Sequence, residues 1–336
     1  TISPILMMIF ISIYGVVDGF FISNYASLDA YAGVNVIFPT IMVIGGLGFM
    51  FGTGGSALSS KLLGEQDRDG ANAVFTMMIK TVIIIGIIVS IIGCLFIKPI
   101  AVALGNINED TTDAMVKEAI KYGRILSLGQ VFFMLQNLFH SYFVVDEKPQ
   151  LGFRYTIFAG ITNMVFDALF IAIFGWGVVG AAIATVMGYM VGSIFPFIHF
   201  IKNNNGNIKL VKTKLKLKPI MQSCFNGCSE FVSNISSSIV GMVFNIQLLK
   251  YYGQKGVSAY GTLMYVSFMF VAIFIGFAIG MAPIIGYNYG ANNKKELKSV
   301  LLKMIVIILI TSGCMVLLSE FLGPQFARLY LREDQE

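Results

Sequence analysis

The chain has 336 residues, of which 56% are hydrophobic and 12% charged, with a formal net charge of +5. An ordinary soluble domain carries about 25% charged residues, and a water-soluble fold cannot hide this much apolar surface. The composition excludes a soluble globular domain and predicts an all-α, polytopic membrane protein. The basic excess does not signal nucleic acid, because the lysines sit in loops between apolar runs, where they set membrane orientation.

Nine spanning helices are predicted, over residues 2–24, 34–60, 76–97, 121–144, 153–174, 178–201, 219–250, 257–285 and 299–322. Each run is long enough to cross a bilayer as a helix, which takes about 20 apolar residues. Membrane strands would instead alternate over about 10 residues. Thr1 lies inside an apolar run with no polar leader, and Glu336 falls just past another, so both ends are expected to be cut.

The first span carries Asp18 in Tyr14-Gly15-Val16-Val17-Asp18-Gly19-Phe20-Phe21, with Tyr14 one turn earlier on the same face. The second is crowded with Gly45, Gly46, Gly48, Gly52, Gly54 and Gly55. No strand precedes Gly46-Leu47-Gly48, so a nucleotide loop is set aside in favour of close helix packing. Gln136 and Asn137 in the fourth span line a cavity or bond across helices. The fifth span holds Asn163 and Asp167 on one face. The seventh holds Glu230, with Asn234 beside it. The cysteines Cys94, Cys224, Cys228 and Cys314 all lie in apolar runs and read as small core residues.

Acids inside a membrane span cost about 2.5–3.5 kcal/mol each on insertion scales, so they face a cavity or a partner. Asp18 and Asp167 with their amide and hydroxyl neighbours form a hard-oxygen set suited to a proton or Na⁺. Two carboxylates held close cannot both stay ionised cheaply, which makes the pair a proton carrier.

Residues 202–218 are polar, with lysines recurring at every second or third position, and divide the chain into two parts. Residues 1–201 are expected to form a six-helix N-lobe, 202–218 a solvated basic cytoplasmic linker, with contact to anionic headgroups of membrane lipid as the alternative, and 219–336 a partial C-lobe of three helices. The two parts resemble each other. Ala30-Tyr31-Ala32-Gly33 and later Leu63-Gly64-Glu65-Gln66-Asp67 correspond to Ser258-Ala259-Tyr260-Gly261 and later Tyr289-Gly290-Ala291-Asn292-Asn293. Lys61, Arg68, Lys148, Arg154, Lys294, Lys295 and Lys298 share one set of loops with the basic segment. The opposite set has fewer lysines and the acidic Glu109, Asp110, Asp113 and Glu118. The first set is therefore placed in the cytoplasm, and the repeats run parallel, a transporter plan with the substrate between its halves. About three further helices are expected after Glu336 on this plan.

Val17-Asp18-Gly19-Phe20-Phe21, Gly54-Gly55-Ser56-Ala57 before Leu63-Gly64, Asn163 with Asp167, and Pro283-Ile284-Ile285-Gly286-Tyr287-Asn288-Tyr289-Gly290-Ala291 together resemble the multidrug and toxic compound extrusion family. The likeness is greatest to the branch with archaeal and DinF-like bacterial transporters, and it covers essentially the whole chain. It implies twelve helices in two lobes, a place in the cytoplasmic membrane, and export of amphipathic cationic drugs in exchange for H⁺ or Na⁺, with no enzyme activity and no cofactor. It also implies a cation site made of Asp18, Asn163, Asp167 and Thr185, and more loosely a role for Glu230. Without helices ten to twelve this portion is not expected to transport alone. The rival readings are a lipid-linked saccharide flippase of the same superfamily, which would line its cavity with Arg and Lys, and a non-transporting membrane scaffold, which needs no paired acids.

Overall fold

The computed structural model describes residues 2–105, 113–202 and 206–330. Glu109, Asp110, Arg332, Thr1, Glu336 and residues 203–205 of the basic segment lie outside the described residues. Among those described, the fold is helical: α1 (Ile2–Tyr25), α2 (Leu28–Gly64), α3 (Arg68–Gly105), α4 (Asp113–Val145), α5 (Pro149–Asp167), α6 (Gly177–Lys202), α7 (Leu217–Gly290) and α8 (Lys294–Tyr330). A π-helical segment, Ala168–Ile173, continues α5 directly after Asp167.

Most helices extend beyond the predicted spans, α2 from Leu28 to Gly64 and α3 from Arg68 to Gly105. The seventh and eighth predicted spans are the two helical arms of α7, which reverses at Gly253 (φ 62°, ψ −154°). Its two arms flank α2. Near one end of α2, Asn35 meets both Asn245 and Gly261. Farther along α2, Gly54 meets Ser223 of the first arm, while Gly290 of the second arm abuts Lys61. The first arm thus runs antiparallel to α2 and the second parallel to it. A left-handed φ at the reversal favours glycine, which has no Cβ to clash.

Eight described segments are long and apolar enough to cross a bilayer, and α4 is not among them. Its position accounts for this. α4 packs against α2, α3 and α6 and is buried along most of its length, so Gln130, Gln136, Asn137 and His140 are shielded from lipid. α3 and α8 present the opposite pattern: exposed aliphatic faces such as Ile84, Ile88 and Ile91, or Leu302, Ile305 and Leu309, suit contact with lipid chains.

Three turns at one end of the bundle share a single geometry. After α2, α4 and α7 the chain passes through Gln66 (φ 64°), Glu147 (φ 59°) and Asn292 (φ 54°). Each turn is closed by the same three backbone bonds, for example Glu65 N–H to Lys61, Gln66 to Leu63 and Asp67 to Leu62. These bonds satisfy the last carbonyls of each helix. The first and third are the two loops that the sequence comparison aligned, and both go on to cap the next helix. Asp67 accepts from Gly70 N–H at 2.8 Å and Asn293 accepts from Glu296 N–H at 3.2 Å.

The basic segment is docked on one face. Asn207 accepts from Arg68, and the N–H groups of Ile208, Lys209 and Val211 donate to Asp146, Asn72 and Thr76 at 3.1, 2.8 and 3.0 Å. Ile208 is fully buried in the core between α3 and α4. Asp146 holds this strap while its other oxygen pairs with Lys148 at 3.0 Å. Asp146→Ala would leave a buried N–H without its acceptor, at a cost of about 1–3 kcal/mol. Trypsin should then cut after Lys209 and Lys212 at least about fivefold faster, since cleavage follows local opening. An unchanged cleavage rate would show that Asp146 does not hold the strap.

Candidate functional site

α1 lies between α5 and the second arm of α7. Gly160 permits its close approach to α5, since a Cβ there would fall 2.5 Å from the Phe10 ring and 2.8 Å from Tyr14. One to two turns farther along both helices come Asp18 and Asp167, whose carboxyl groups are close enough to interact. Gly188 does the same for α6, where a Cβ would meet Asn163 Cβ at 3.2 Å. Thr185 stands one turn before Gly188. Two glycines on helix faces thus bring three helices close enough for short polar side chains to meet.

The four residues of the expected cation set are all inside. Asp167 is 0% exposed, Asn163 1%, and Asp18 and Thr185 7%. Asp18, Asn163 and Thr185 line a cavity of about 140 Å³, and Asp167, which interacts with Asp18, is not among its lining residues. Thr185 donates its hydroxyl hydrogen to Ala181 O at 2.9 Å, which leaves its oxygen lone pairs free to face a cation. Among the described residues, Asp18 Oδ1, both oxygens of Asp167 and both amide atoms of Asn163 are buried without a hydrogen-bond partner. Buried polar atoms are rarely left so. The unpaired carboxyl and amide oxygens in this group suit a proton or a small hard cation. The π-helical turn begins at the residue after Asp167 and re-aims the chain there, a feature common at functional sites.

Tyr14, Gln136 and Asn137 also line the cavity. Both ends of the Gln136 amide are buried without a partner, and it packs against Gly192 of α6. Asn137 donates to Phe133 O on its own helix at 3.0 Å. Of the two roles left open for these residues, lining the cavity is where the structure places them. Glu230 and Asn234 are elsewhere. They sit on the first arm of α7, where Asn234 donates to the Glu230 carbonyl at 2.8 Å and packs on Gly46 of α2. Neither is among the residues lining this cavity. The cavity borders the second arm instead, through Phe268, Ala272 and Ile275.

The rest of the wall is mostly aromatic and thioether, with Phe38, Phe49, Tyr122, Phe133, Tyr189, Met8 and Met42 beside Ile11, Ser12 and Gly15. Tyr189 was not picked out from sequence. It lies one turn beyond Thr185 and packs on Phe133 at 4.9 Å between ring centroids. The i,i+4 spacing from Thr185 was a signal available for it. No Lys or Arg is among the lining residues.

A family model described as MatE matches residues 4–169 and 231–336. The chain belongs to the MatE family. The curated relatives of this MatE chain include the multidrug export protein MepA of Staphylococcus aureus (strain N315), 28% identical over 315 residues, which covers 90% of this chain. The chain spans 66% of that relative's length. Among solved structures, a MOP superfamily transporter from Pyrococcus furiosus superposes with a TM-score of 0.87 at 23% identity, covering 99% of this chain and 74% of the other. An outward-facing multidrug resistance MATE family transporter gives 0.87 at 23% identity, covering 98% and 73%. These likenesses establish the fold. The MatE chain is a multi-pass helical membrane protein.

Proposed function

We propose that this chain forms the cation-coupling and drug-binding part of an antiporter that exports amphipathic, cationic compounds across the cytoplasmic membrane. The observation that carries the reading is the pair of neighbouring buried carboxyl groups, Asp18 at the wall of an aromatic cavity and Asp167 close to it. In this reading residues 1–201 and 219–336 belong to two lobes joined by 202–218.

Two ionised carboxylates at this separation in a low-dielectric site repel strongly. One H⁺, or one Na⁺ held with Asn163 and Thr185, replaces that repulsion by attraction. The same negative charge also favours a drug cation, which the faces of Phe38, Phe133, Tyr189 and Phe268 stabilise further. Coupling ion and drug therefore compete, and the occupant decides how α1 packs against α5. A ligand shifts a conformational equilibrium only by its differential affinity for the two states. Mutual exclusion at one charge supplies that difference. The lack of a basic residue in the wall favours cationic drugs over lipid-linked saccharides, whose phosphates would need Lys or Arg.

The test is efflux of a fluorescent amphipathic cation from proteoliposomes of the full-length protein, with a H⁺ gradient or a Na⁺ gradient imposed alone. At least one gradient is expected to drive export severalfold above the no-gradient control. Equal rates in all three conditions would overturn the coupling.

A further inference from the structure

The docked strap leaves a row of lysines that the transport mechanism does not use. Lys212, Lys214 and Lys216 recur at every second residue and are exposed, and exposed Lys218 follows in the first turn of α7. The backbone is extended at Lys216 (φ −119°, ψ 127°), and a spacing of two in extended chain places successive side chains on one face, about 6.6 Å apart. The backbone is fixed, with the Val211 N–H bonded to Thr76 and the Thr213 carbonyl accepting from Lys80 at 2.7 Å. Among the described residues the ion pairs are Lys61–Glu65, Lys121–Glu118 and Lys148–Asp146, so none neutralises this row.

The depth of the row follows from α3. Lys80 and Lys98 bound a stretch of that helix with no charged residue and with Ile84, Ile87, Ile88, Ile91, Ile92 and Leu95 exposed. At about 1.5 Å per residue the two lysines stand about 27 Å apart, close to the hydrocarbon thickness of about 30 Å. Lys80 therefore marks the boundary on the strap side. The strap descends along α3 from Arg68 through Asn72 and Thr76 to Lys80, so residues 213–218 arrive at the level of the lipid headgroups. Leu215 is 46% exposed and Leu217 74%, apolar side chains that water would disfavour and an acyl boundary would accept.

The geometry points to a binding site for anionic phospholipid headgroups on the strap, formed by Lys212, Lys214, Lys216 and Lys218 with Leu215 and Leu217 dipping into the bilayer. Because the strap is tethered to α3 and leads straight into α7, headgroups held there tie the start of α7 to the membrane surface. The charges are pre-positioned by hydrogen bonds, so binding orders little chain and keeps most of its electrostatic gain. The inference does not depend on ion coupling at Asp18 and Asp167.

The test is native mass spectrometry of the full chain titrated with phosphatidylglycerol or phosphatidylcholine in neutral detergent. One lysine near an anionic surface contributes about 1 kcal/mol, so wild type should retain phosphatidylglycerol at least about fivefold better. Replacing all four lysines by Gln should bring the preference within about twofold of unity, while replacing all four by Arg should keep it. Lys117→Gln with Lys121→Gln, toward the other boundary, should also keep it. About 0.5 M salt should erase the wild-type preference, a readout that needs no variant to fold. Inorganic phosphate at the same concentration as lipid should not displace it. The proposal is overturned if wild type shows no preference, if the Gln variant keeps it, if the Lys117/Lys121 variant loses it, if salt has no effect, or if free phosphate displaces the lipid.

Discussion

Asp18→Asn and Asp167→Asn are each expected to abolish gradient-driven efflux by the full-length protein, with a loss of at least about tenfold, while expression and thermal stability hold. The carboxyl groups of the two residues lie close together, with Asn163 beside Asp167, and Asp18 Oδ1 and both Asp167 oxygens are buried. An Asn at either position keeps the shape and adds a permanent N–H donor to the remaining carboxylate. That amide imitates the proton-loaded pair, so one conformation is favoured whatever the gradient. A transporter whose states no longer differ in affinity for the coupling ion cannot use it. Stability should not suffer, because removing one of two buried like charges relieves repulsion. Drug binding measured by dye fluorescence should survive in at least one variant, since the aromatic wall is untouched. Gradient-driven export at the wild-type rate in both variants would remove the pair from the coupling mechanism.

Gly54→Leu should destabilise the protein more than any other glycine substitution between α2 and the first arm of α7. A Cβ at Gly54 would run into the backbone carbonyl of Ser223, and would lie 2.7 Å from the Gly227 nitrogen. Backbone atoms cannot rotate away as a side chain can, so the helices must separate. Overpacking typically costs about 1–3 kcal/mol, and this site should reach the upper end. The matching control is Gly313→Leu on α8, where a Cβ meets nothing within 4 Å. A thermal melt in detergent should show a drop of several degrees for Gly54→Leu and little change for Gly313→Leu. Equal melting temperatures would mean that the close contact between α2 and α7 contributes nothing to stability.

The class of protein, the helices and the identity of the polar groups that matter were legible in the sequence. Long apolar runs have one stable form in lipid, a helix that satisfies its own backbone hydrogen bonds. An acid inside such a run is costly enough to be noticed, and helical spacing then pairs Asp18 with Tyr14 and Asn163 with Asp167. The glycines of the second span read correctly as packing sites, since Gly48 and Gly54 lie against the backbones of α4 and α7. Such readings are local, within one or two turns of one helix.

Tertiary structure decided which helix faces meet. Periodicity gives the face on which Asp18 lies but not that α5 supplies its partner, a contact set by Gly160 beneath the Phe10 and Tyr14 rings. Glu230 reads as a looser candidate beside the other acids; its arm of α7 packs on α2 around Gly46, and the opposite arm closes the cavity. The reversal at Gly253 falls in the break left between the predicted spans 219–250 and 257–285, but that both arms pack along α2 was not legible in either span. The basic segment read as solvated because its composition is polar. Its docking rests on Asn72, Thr76 and Asp146, residues far away in sequence whose side chains answer backbone N–H groups that every residue carries alike. Composition and spacing report what each side chain is and which way it points on its own helix; only the packed fold fixes what stands opposite.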